Sequence, residues 1–417
     1  MSTSEAVQPQ MRVIAHNETW GDIGYLIIDS VLSDAAIGGI RYAPGISQDE
    51  VAGLAQAMTY KCGFFNIPMG GAKAGIPARA ELSSKERSDM LQAFGRSIGP
   101  IIRSGLYVPG QDIGFSVADL NDVRLGAGLP PVKTVYNGGL YTAMTVVETA
   151  AAVLKSQGRP FEGTRFAIEG LGNVGIHVAS LVTQRGGVLM AVSTVNGAIY
   201  QANGLDTSRL SKLRARYSDD LISHYYDADS ISLEDLLLLD VDVLVPCARS
   251  HAIHGGNAGS LRAPIIVPAS NNPVAPGAAD VIHDSSIVLF PDFVANGGSV
   301  LAGMLITQGF DDAEICDMIR KEFAQRVHSL IRQAGHDTDQ LRQTAETIAK
   351  RNIERMQRES LAGSSRLIRV IMKLREKGPI GLLERGANLL YQHGWNRSRR
   401  VRTLARRRMR NVLLAEG

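Results

Sequence analysis

Three charged side chains in the first third of the chain have residue types and surroundings suited to proton transfer. Lys61 follows an apolar helical segment, Lys73 lies twelve residues later in the run GGAKAG, and Asp112 lies in the glycine-flanked run PGQDIG. Small neighbours hold a lysine close to the backbone and partly exclude water, which lowers its pKa. A second lysine nearby would lower that pKa further, toward the range that suits a general base. Each residue taken alone is also compatible with an ordinary solvated surface charge.

A glycine-rich turn provides a second candidate site. The run GLGNVG at 170–175 lies between a predicted strand, 164–169, and a predicted helix, 176–184. In dinucleotide-binding folds such glycines let the backbone turn sharply and approach a pyrophosphate, which the N-terminus of the following helix attracts. The alternative is a tight strand-to-helix turn without a ligand. We predict a dinucleotide site formed by Gly170, Gly172, Asn173, Val174 and Gly175.

The end of the next predicted strand bears on the choice of dinucleotide. A carboxylate there usually accepts the ribose hydroxyls of NAD, but this strand ends in the run STVNG at 193–197, where Thr194 offers a hydroxyl group instead. Without the negative charge, the main repulsion against the 2′-phosphate of NADP is absent, although no adjacent arginine would bind that phosphate. The sequence therefore predicts NAD or NADP and leaves the choice open.

The elements around these residues indicate the fold class. Ser47 and Ser83 are predicted to cap helices in the N-terminal part. From about residue 142 onward, strands alternate with helices, which is typical of βαβ units and a parallel sheet. We predict an α/β protein with two domains and a helical extension. The predicted parts are an N-terminal α/β domain at 1–138, a Rossmann-like dinucleotide-binding domain at 139–304, and a basic helical extension at 359–417.

The composition excludes several classes of protein. The 417 residues are 45% hydrophobic and 20% charged, which is the balance of a folded globular protein. A net charge of +3 does not by itself indicate a nucleic-acid partner, and three scattered cysteines are too few for a disulfide framework or a zinc cluster. The sequence shows neither the pattern of a signal peptide nor a long apolar segment free of charges and breakers. We therefore expect a cytoplasmic protein with no metal site and no membrane partner.

Several separated motifs follow one another over most of the chain, from about residue 38 to about residue 358. They are GGIR at 38–41, MTYK at 58–61, PMGGAK at 68–73, PGQDIG at 109–114, GLGNVG at 170–175, SNN at 270–272 and PDFVANGG at 291–298. In type and order they resemble the motifs of the glutamate/leucine/phenylalanine/valine dehydrogenases. The resemblance implies a homo-oligomeric enzyme that uses NAD or NADP to deaminate an L-amino acid oxidatively to a 2-oxo acid and ammonia. It also implies that the domain at 1–138, completed by helices at 305–358, is the substrate and oligomerisation domain. The rival interpretation is a non-catalytic relative that acts as a binding or assembly module, but such a module would not need Lys61, Lys73 and Asp112 together.

The resemblance also implies a role for each site residue. Lys61 would bind the substrate α-carboxylate, Lys73 would activate the water that attacks the imine, and Asp112 would carry protons to and from the amino nitrogen. Thr142 would contact the nicotinamide amide, and Asn271 would help to hold the nicotinamide ribose. The other positions assigned to the site are Gly38 on the substrate side and Thr194 and Asn296 on the cofactor side.

The pocket positions favour an apolar substrate. In the glutamate members of the family, a lysine before the GGxR motif pairs with the side-chain carboxylate of the substrate, and here that position is Ile37. A carboxylate left unpaired and desolvated there would be costly. Val300 would extend the apolar wall, and Gly110 and Gly303 would leave the pocket roomy. We predict a large apolar or aromatic amino acid such as leucine, phenylalanine or tryptophan; the alternative is glutamate, with Ile37 merely part of the core.

The C-terminal extension is strongly basic. Eight arginines lie between 397 and 410, and no acidic residue lies between 386 and 415. Such a run is usually a solvated helix face, or it packs on acidic patches of a neighbouring subunit. Binding to nucleic acid or to an anionic membrane surface is the less favoured alternative, and it would depend steeply on salt.

Overall fold

Two β-sheets organise the chain. The computed structural model describes residues 9–132 and 136–375, with side chains described up to residue 359. The strands of the first sheet are β1 (Met11–Asn17), β2 (Gly21–Ile28), β3 (Ala36–Ala43), β4 (Gly70–Pro77) and β5 (Tyr107–Gln111). Their order across the sheet is β1-β2-β4-β3-β5, and β3 is parallel to both of its neighbours. The sheet therefore brings the ends of β3, β4 and β5 side by side.

Three helices accompany the first sheet, and two of them begin where the sequence predicts. They are α1 (Gln48–Phe64), α2 (Ser84–Arg103) and α3 (Val117–Gly126). The Ser47 side chain accepts a hydrogen bond from the Glu50 amide at 3.2 Å, and Ser83 forms a reciprocal capping box with Glu86. Both predicted caps are confirmed, because each hydroxyl satisfies an amide that the first helical turn leaves without a partner.

The second sheet is mainly parallel. Its strands are β6 (Arg165–Glu169), β7 (Val188–Thr194), β8 (Gly197–Tyr200), β9 (Asp229–Ile231), β10 (Val243–Pro246), β11 (Ile265–Ile266) and β12 (Val288–Leu289). Their order is β12-β11-β10-β6-β7-β8-β9, parallel from β12 to β7 and antiparallel from β7 to β9. β6 is central, with β10 on one side and β7 on the other. The strand order reverses at β6, and that is the point at which open α/β sheets bind ligands.

Helices surround the second sheet and continue beyond it. They are α4 (Gly138–Ser156), α5 (Gly175–Gln184), α6 (Thr207–Tyr217), α7 (Leu233–Leu237), α8 (Ala278–His283), α9 (Asp292–Ala295), α10 (Gly298–Thr307), α11 (Asp312–Met318), α12 (Ala324–Ala334) and α13 (Thr338–Arg375). Short 3₁₀ segments occupy Ser218–His224 and Ala258–Ser260, and a π-helical segment, Ile319–Phe323, joins α11 to α12. The prediction of a helical chain after about residue 311 is confirmed as far as Arg375.

The end of α1 shares a hydrophobic core with the region of the second sheet, whereas the buried strand residues of the first sheet form separate clusters. The largest buried cluster contains Phe64 and Phe65 from the end of α1 and its C-cap, together with Phe293 of α9 and Phe323 of the π-helical segment. α13 packs against α1, whereas α12 packs against α4. The predicted fold class, an α/β protein with an N-terminal α/β domain and a Rossmann-like domain, is confirmed. The exact domain boundaries remain predictions.

The sequence predicted no membrane-spanning segment and a basic C-terminal extension. Within the described residues, no helix is both long enough and apolar enough to cross a membrane. The arginine-rich run between 397 and 410 lies outside the described residues.

Candidate active site between the two sheets

Three neighbouring strands of the first sheet bring Lys73, Asp112 and Arg41 together. Lys73 lies on β4, Arg41 on the adjacent β3, and Asp112 follows β5 directly. Nζ of Lys73 lies 3.0 Å from Oδ2 of Asp112, and Nε of Arg41 donates a hydrogen bond to the same oxygen at 2.8 Å. Lys73 and Arg41 are each only 3% exposed. Two buried cations therefore share one carboxylate oxygen.

Burial and charge together set the protonation states of this cluster. Burial alone would raise the pKa of Asp112, but the charges of Lys73 and Arg41 outweigh it and lower the pKa to about 2. Burial lowers the pKa of Lys73, and the charge of Asp112 opposes that shift while the charge of Arg41 adds to it. The sequence predicted a lysine with a depressed pKa. The structure adds that the charge of the neighbouring Arg41 contributes to this lowering of the Lys73 pKa.

Lys61 approaches the same region from the last turn of α1. Its Nζ donates a hydrogen bond to Oδ1 of Asn271 at 3.2 Å, across from the second sheet. Burial lowers the pKa of Lys61 to about 8; the charge of Asp292 opposes this shift and the charge of Lys73 adds to it. Lys61 is thus mainly protonated at neutral pH. It can attract an anionic group of a ligand in the cleft.

Asn271 and Asn296 form the opposite wall of the cleft. Nδ2 of Asn296 donates to Oδ1 of Asn271 at 3.1 Å and to the carbonyl oxygen of Ser270 at 2.9 Å. Oδ1 of Asn296 is buried and has no hydrogen-bond partner among the described residues. A buried polar acceptor is normally paired. This one is available to a donor group of a ligand.

Close packing explains the paired glycines Gly38 and Gly39 within β3. A Cβ atom on Gly38 would overlap the carbonyl oxygen of Ala72, and one on Gly39 would lie 2.9 Å from Cβ of Asp112. The carbonyl oxygen of Gly38, a predicted substrate-side residue, accepts a hydrogen bond from the Tyr107 hydroxyl at 2.9 Å. Glycine at these positions lets β3 approach both neighbouring strands closely enough for Arg41 to reach Asp112.

The glycine turn after β6 has the geometry of a dinucleotide-binding loop. Gly170 has φ +100°, and a Cβ on it would lie 2.6 Å from Cβ of Ala248. A Cβ on Gly175, the first residue of α5, would overlap the carbonyl oxygen of Gly170. At Gly172, in contrast, no atom of the described residues lies within 4 Å of a built Cβ. The first and third glycines are needed by the fold, while Gly172 leaves an open approach for a pyrophosphate, so the residues present fit such a ligand.

Asn173 and Val174 complete this turn, and Thr142 lies near it on α4. Asn173 is exposed and Val174 is half-buried at the start of α5. Thr142 is buried and lies behind the turn that follows Asn296, because a Cβ on Gly298 would come within 2.8 Å of the Thr142 amide nitrogen. The loop, α4 and the Asn296 turn thus lie around the same end of the sheet.

The end of β7, where the sequence predicts contact with the cofactor ribose, has a carboxylate nearby that the sequence did not indicate. The Thr194 hydroxyl donates to the carbonyl oxygen of Asp219 at 2.8 Å and accepts from the Asn196 amide at 3.2 Å. Nδ2 of Asn196 donates to Oδ1 of Asp220 at 2.6 Å. The strand itself offers no carboxylate, but the 3₁₀ segment Ser218–His224 places one beside the hairpin. No signal in the sequence joins Asp220 to this strand.

The predicted substrate pocket is only partly as expected. Ile37, on β3, and Val300, on α10, both pack at the margin of the large hydrophobic cluster. Gly110 is open, since the nearest atom to a built Cβ is Cα of Gly39 at 4.0 Å. The expectation of equal room at Gly303 needs correction, because the Tyr136 hydroxyl lies 2.9 Å from a Cβ built there. That hydroxyl donates to the carbonyl oxygen of Ser299 at 3.2 Å, so Tyr136 fills the space.

Four other residues belong to the site but were not among the predicted site residues. Arg41 contacts Asp112, Glu50 and Ser250, and Asp292 accepts from the Asn272 amide at 2.8 Å near Lys61. Arg41 lies inside the GGIR motif, so its motif was the available signal. Asp292 likewise lies inside the PDFVANGG motif, whereas Glu50 and Ser250 carried no signal that separates them from ordinary polar residues. Within the described part of the chain, no group of three or more side chains could hold a metal ion.

Two family models match most of the chain. Residues 16–124 match the model described as "Glu/Leu/Phe/Val dehydrogenase, dimerisation domain". Residues 139–360 match the model described as "Glutamate/Leucine/Phenylalanine/Valine dehydrogenase".

Two curated relatives come from Halobacterium salinarum. One is an NAD-specific glutamate dehydrogenase A, 32% identical over 278 residues that cover 63% of this chain and 63% of the relative. The other is an NADP-specific glutamate dehydrogenase A1, 32% identical over 279 residues that cover 63% of this chain and 66% of the relative. The aligned region therefore spans slightly less than two thirds of either relative.

Solved structures share the fold. The hetero-hexameric glutamate dehydrogenase from Thermus thermophilus superposes with a TM-score of 0.70 at 24% identity, covering 84% of this chain and 89% of that one. A glutamate dehydrogenase from Plasmodium falciparum superposes with a TM-score of 0.71 at 19% identity, covering 86% and 84%. At these identities the likeness establishes the architecture of both domains.

Proposed function

Since this chain belongs to the glutamate/leucine/phenylalanine/valine dehydrogenase family, we propose that it catalyses the reversible NAD(P)-dependent oxidative deamination of an L-amino acid. The products are a 2-oxo acid, ammonia and the reduced cofactor. The observation that carries the proposal is the convergence of Lys61, Lys73 and Asp112 from α1, β4 and the end of β5. Their meeting point faces Asn271 from the second sheet.

Each of the three side chains suits one task. Lys61, protonated at neutral pH because its pKa is about 8, pairs with the substrate α-carboxylate. Asp112 stays ionised, so it can accept a proton from the substrate amino nitrogen and return it as the C–N bond breaks. Lys73, whose pKa is lowered by burial, takes a proton from the water whose oxygen attacks the imine carbon.

The second sheet supplies the cofactor side of the site. A bound NAD(P) provides the acceptor for the hydride that leaves Cα of the amino acid. Gly172 and the N-terminus of α5 would hold the pyrophosphate, and Asn271, Asn296 and Thr142 would orient the nicotinamide end. The two curated relatives differ in cofactor, so we propose NAD or NADP, and the Asp220 carboxylate beside Asn196 favours NAD.

For the substrate, we propose a large apolar or aromatic L-amino acid. Ile37 and Val300 are apolar residues at the margin of the core, and Gly110 leaves open space. Tyr136 narrows the pocket beside Gly303 and adds one hydroxyl group. Glutamate is the second candidate, because both curated relatives are named glutamate dehydrogenases.

We also propose that the protein is a homo-oligomer. The support is the match of residues 16–124 to a dimerisation domain and the description of one structural relative as hetero-hexameric. Light scattering of the full chain should give a mass that is a whole-number multiple, twofold or higher, of the 44.8 kDa chain mass. A monomer at all concentrations would contradict this part of the proposal.

A substrate panel tests the proposal. Purified full-length protein is mixed with glutamate, leucine, phenylalanine or tryptophan and with NAD⁺ or NADP⁺, and NAD(P)H absorbance is followed. We expect amino-acid-dependent reduction, with leucine, phenylalanine or tryptophan giving the highest kcat/KM. No reduction with any pair would refute the dehydrogenase function, whereas glutamate as best substrate would refute only the apolar pocket.

A further inference from the structure

One hydrogen bond connects the two sheet regions through residues that the proposed reaction does not use. Nη1 of Arg41, on β3, donates to Oγ of Ser250 at 3.0 Å. Ser250 lies in the loop after β10, and its hydroxyl donates in turn to the backbone carbonyl of Asn271 at 3.1 Å. The single hydroxyl proton and one lone pair of Ser250 are thus both used, which fixes its orientation.

The same guanidinium holds the proposed proton carrier. Nε of Arg41 donates to Oδ2 of Asp112, and Nη1 also donates to Oε1 of Glu50 at 3.0 Å. Nη2 is sealed from solvent and has no acceptor among the described residues. A guanidinium is planar and presents its donors in a rigid fork. A shift of Ser250 relative to β3 would therefore also disturb the contact with Asp112.

We propose that the Arg41–Ser250 hydrogen bond, which joins the two halves, holds Arg41 where it positions Asp112 and so couples the cofactor-binding half to Asp112. Arg41 is then a positioning residue, and Ser250 is the point at which the cofactor-binding half engages it. The inference rests on the proposed function for its effect on catalysis, but the structural coupling stands on the hydrogen bonds alone. Lys61 and Asn271 also meet across the cleft, but both are assigned to ligands and cannot serve this purpose independently.

The test uses the full chain with Ser250→Ala, which removes the hydroxyl that accepts from Arg41 and donates to the Asn271 carbonyl, while Arg41, Asp112 and Glu50 keep their side chains. Ser250→Thr keeps the hydroxyl. The matched control is Ser97→Ala, whose hydroxyl bonds to the carbonyl oxygens of Ala93 and His16 within the N-terminal half.

Hydrogen–deuterium exchange measures the coupling between Ser250 and the Asp112 segment in the absence of turnover. We expect Ser250→Ala to speed amide exchange in residues 107–116, which contain Asp112, although the substitution lies on the other half. Ser250→Thr and Ser97→Ala should exchange like the wild type. Unchanged exchange at 107–116 in Ser250→Ala overturns the inference.

Steady-state kinetics measure the effect of the substitution on the proposed reaction. We expect Ser250→Ala to lower kcat/KM for the best amino acid about tenfold, which is typical for loss of a hydrogen bond to a charged group, with cofactor Kd within about twofold. Arg41→Lys should lose activity as well, and adding Ser250→Ala to it should cost little more, because the two substitutions break the same contact. Full additivity in this cycle contradicts the coupling.

The two proposals fail in different ways. If the wild type oxidises no amino acid with either cofactor, the dehydrogenase function fails, and the exchange measurement still decides the coupling. If the wild type is active and both kcat/KM and exchange are unaffected in Ser250→Ala, only the coupling fails.

Discussion

Lys73 and Arg41 both contact Oδ2 of Asp112, at 3.0 Å and 2.8 Å, so one carboxylate oxygen serves two buried cations. Their combined charge overcomes burial and lowers the pKa of Asp112 to about 2. Asp112 is therefore a carboxylate at every pH at which the protein would work. Lys73, whose pKa burial lowers, is the member of the pair that can lose its proton.

Replacing this lysine should abolish most of the turnover. Lys73→Met fills a similar volume without an ionisable group, and we expect kcat to fall about 10²–10⁴-fold, the usual contribution of a general base. Cofactor Kd should stay within about twofold of the wild-type value. Lys85→Ala, at an exposed position on α2, is the control. A kcat for Lys73→Met near that of the wild type would remove Lys73 from the mechanism.

Substrate binding should weaken as the pH rises through about 8. Lys61 has its pKa lowered to about 8 by burial, so it loses the charge that binds the α-carboxylate above that pH. We expect the KM for the amino acid to rise about tenfold per pH unit beyond this point, while cofactor Kd changes little. Steady-state kinetics across that range measure both. A flat KM would indicate that another group binds the carboxylate.

The titration of Lys61 should also make the free energy of unfolding depend on pH. The folded-state pKa of Lys61 lies below its ordinary value of 10.5, so between about pH 8 and 10.5 the unfolded chain binds more protons than the folded one. The Lys61 contribution to the free energy of unfolding therefore increases with pH in that window. Lys61→Met should raise the stability by about 2 kcal/mol at neutral pH and remove this contribution. Denaturant unfolding of both proteins at two pH values measures the difference, and a less stable variant would contradict the assignment.

Alanine substitutions at two glycines of the turn should have different effects, one on cofactor binding and the other on folding. Gly172→Ala adds a methyl group in open space, so we expect an unchanged Tm but a cofactor Kd at least about tenfold higher, because the methyl obstructs the pyrophosphate. Gly175→Ala would overlap the Gly170 carbonyl and should destabilise the fold by about 2 kcal/mol or more. Thermal unfolding and cofactor titration of both variants distinguish the two effects. Tight cofactor binding by Gly172→Ala would place the pyrophosphate elsewhere.

A lysine at position 37 should change the substrate preference. Ile37→Lys supplies a cation for a side-chain carboxylate, so we expect kcat/KM for glutamate to increase about tenfold and that for apolar amino acids to fall. Ile14→Lys, on the edge strand β1 and 51% exposed, is the matched control. The comparison is the ratio of kcat/KM values for glutamate and the best apolar substrate. An unchanged ratio would exclude Ile37 from the pocket.

The carboxylate beside β7 should discriminate against NADP. Asp220→Asn removes its charge while keeping a polar partner for Asn196, and we expect the NADP/NAD ratio of kcat/KM to rise about tenfold. Asp227→Asn, which loses an ion pair with Arg209 in the same region, is the control. An equal ratio in both variants would mean that Asp220 does not approach the ribose.

By itself, the sequence determined the features that depend on near neighbours. Ser47 and Ser83 were predicted to cap helices because a cap acts within three residues, and the glycine turn at Gly170 was evident because strand, turn and helix follow one another directly. The fold class followed from the alternation of strands and helices. The ordered motifs further pointed to the lysines and the aspartate; in the structure Lys73 contacts Asp112, and Lys61 contacts Asn271.

Only the tertiary structure decided which distant side chains meet. Arg41 reaches Asp112 across 71 residues and Ser250 across 209, and Asp220 reaches Asn196 from a different element. Tyr136 occupies the space that Gly303 alone would have left open. These contacts depend on strand order and register and on how the two halves approach each other. Such relations arise from the packing of the whole chain, and no local pattern of residues encodes them.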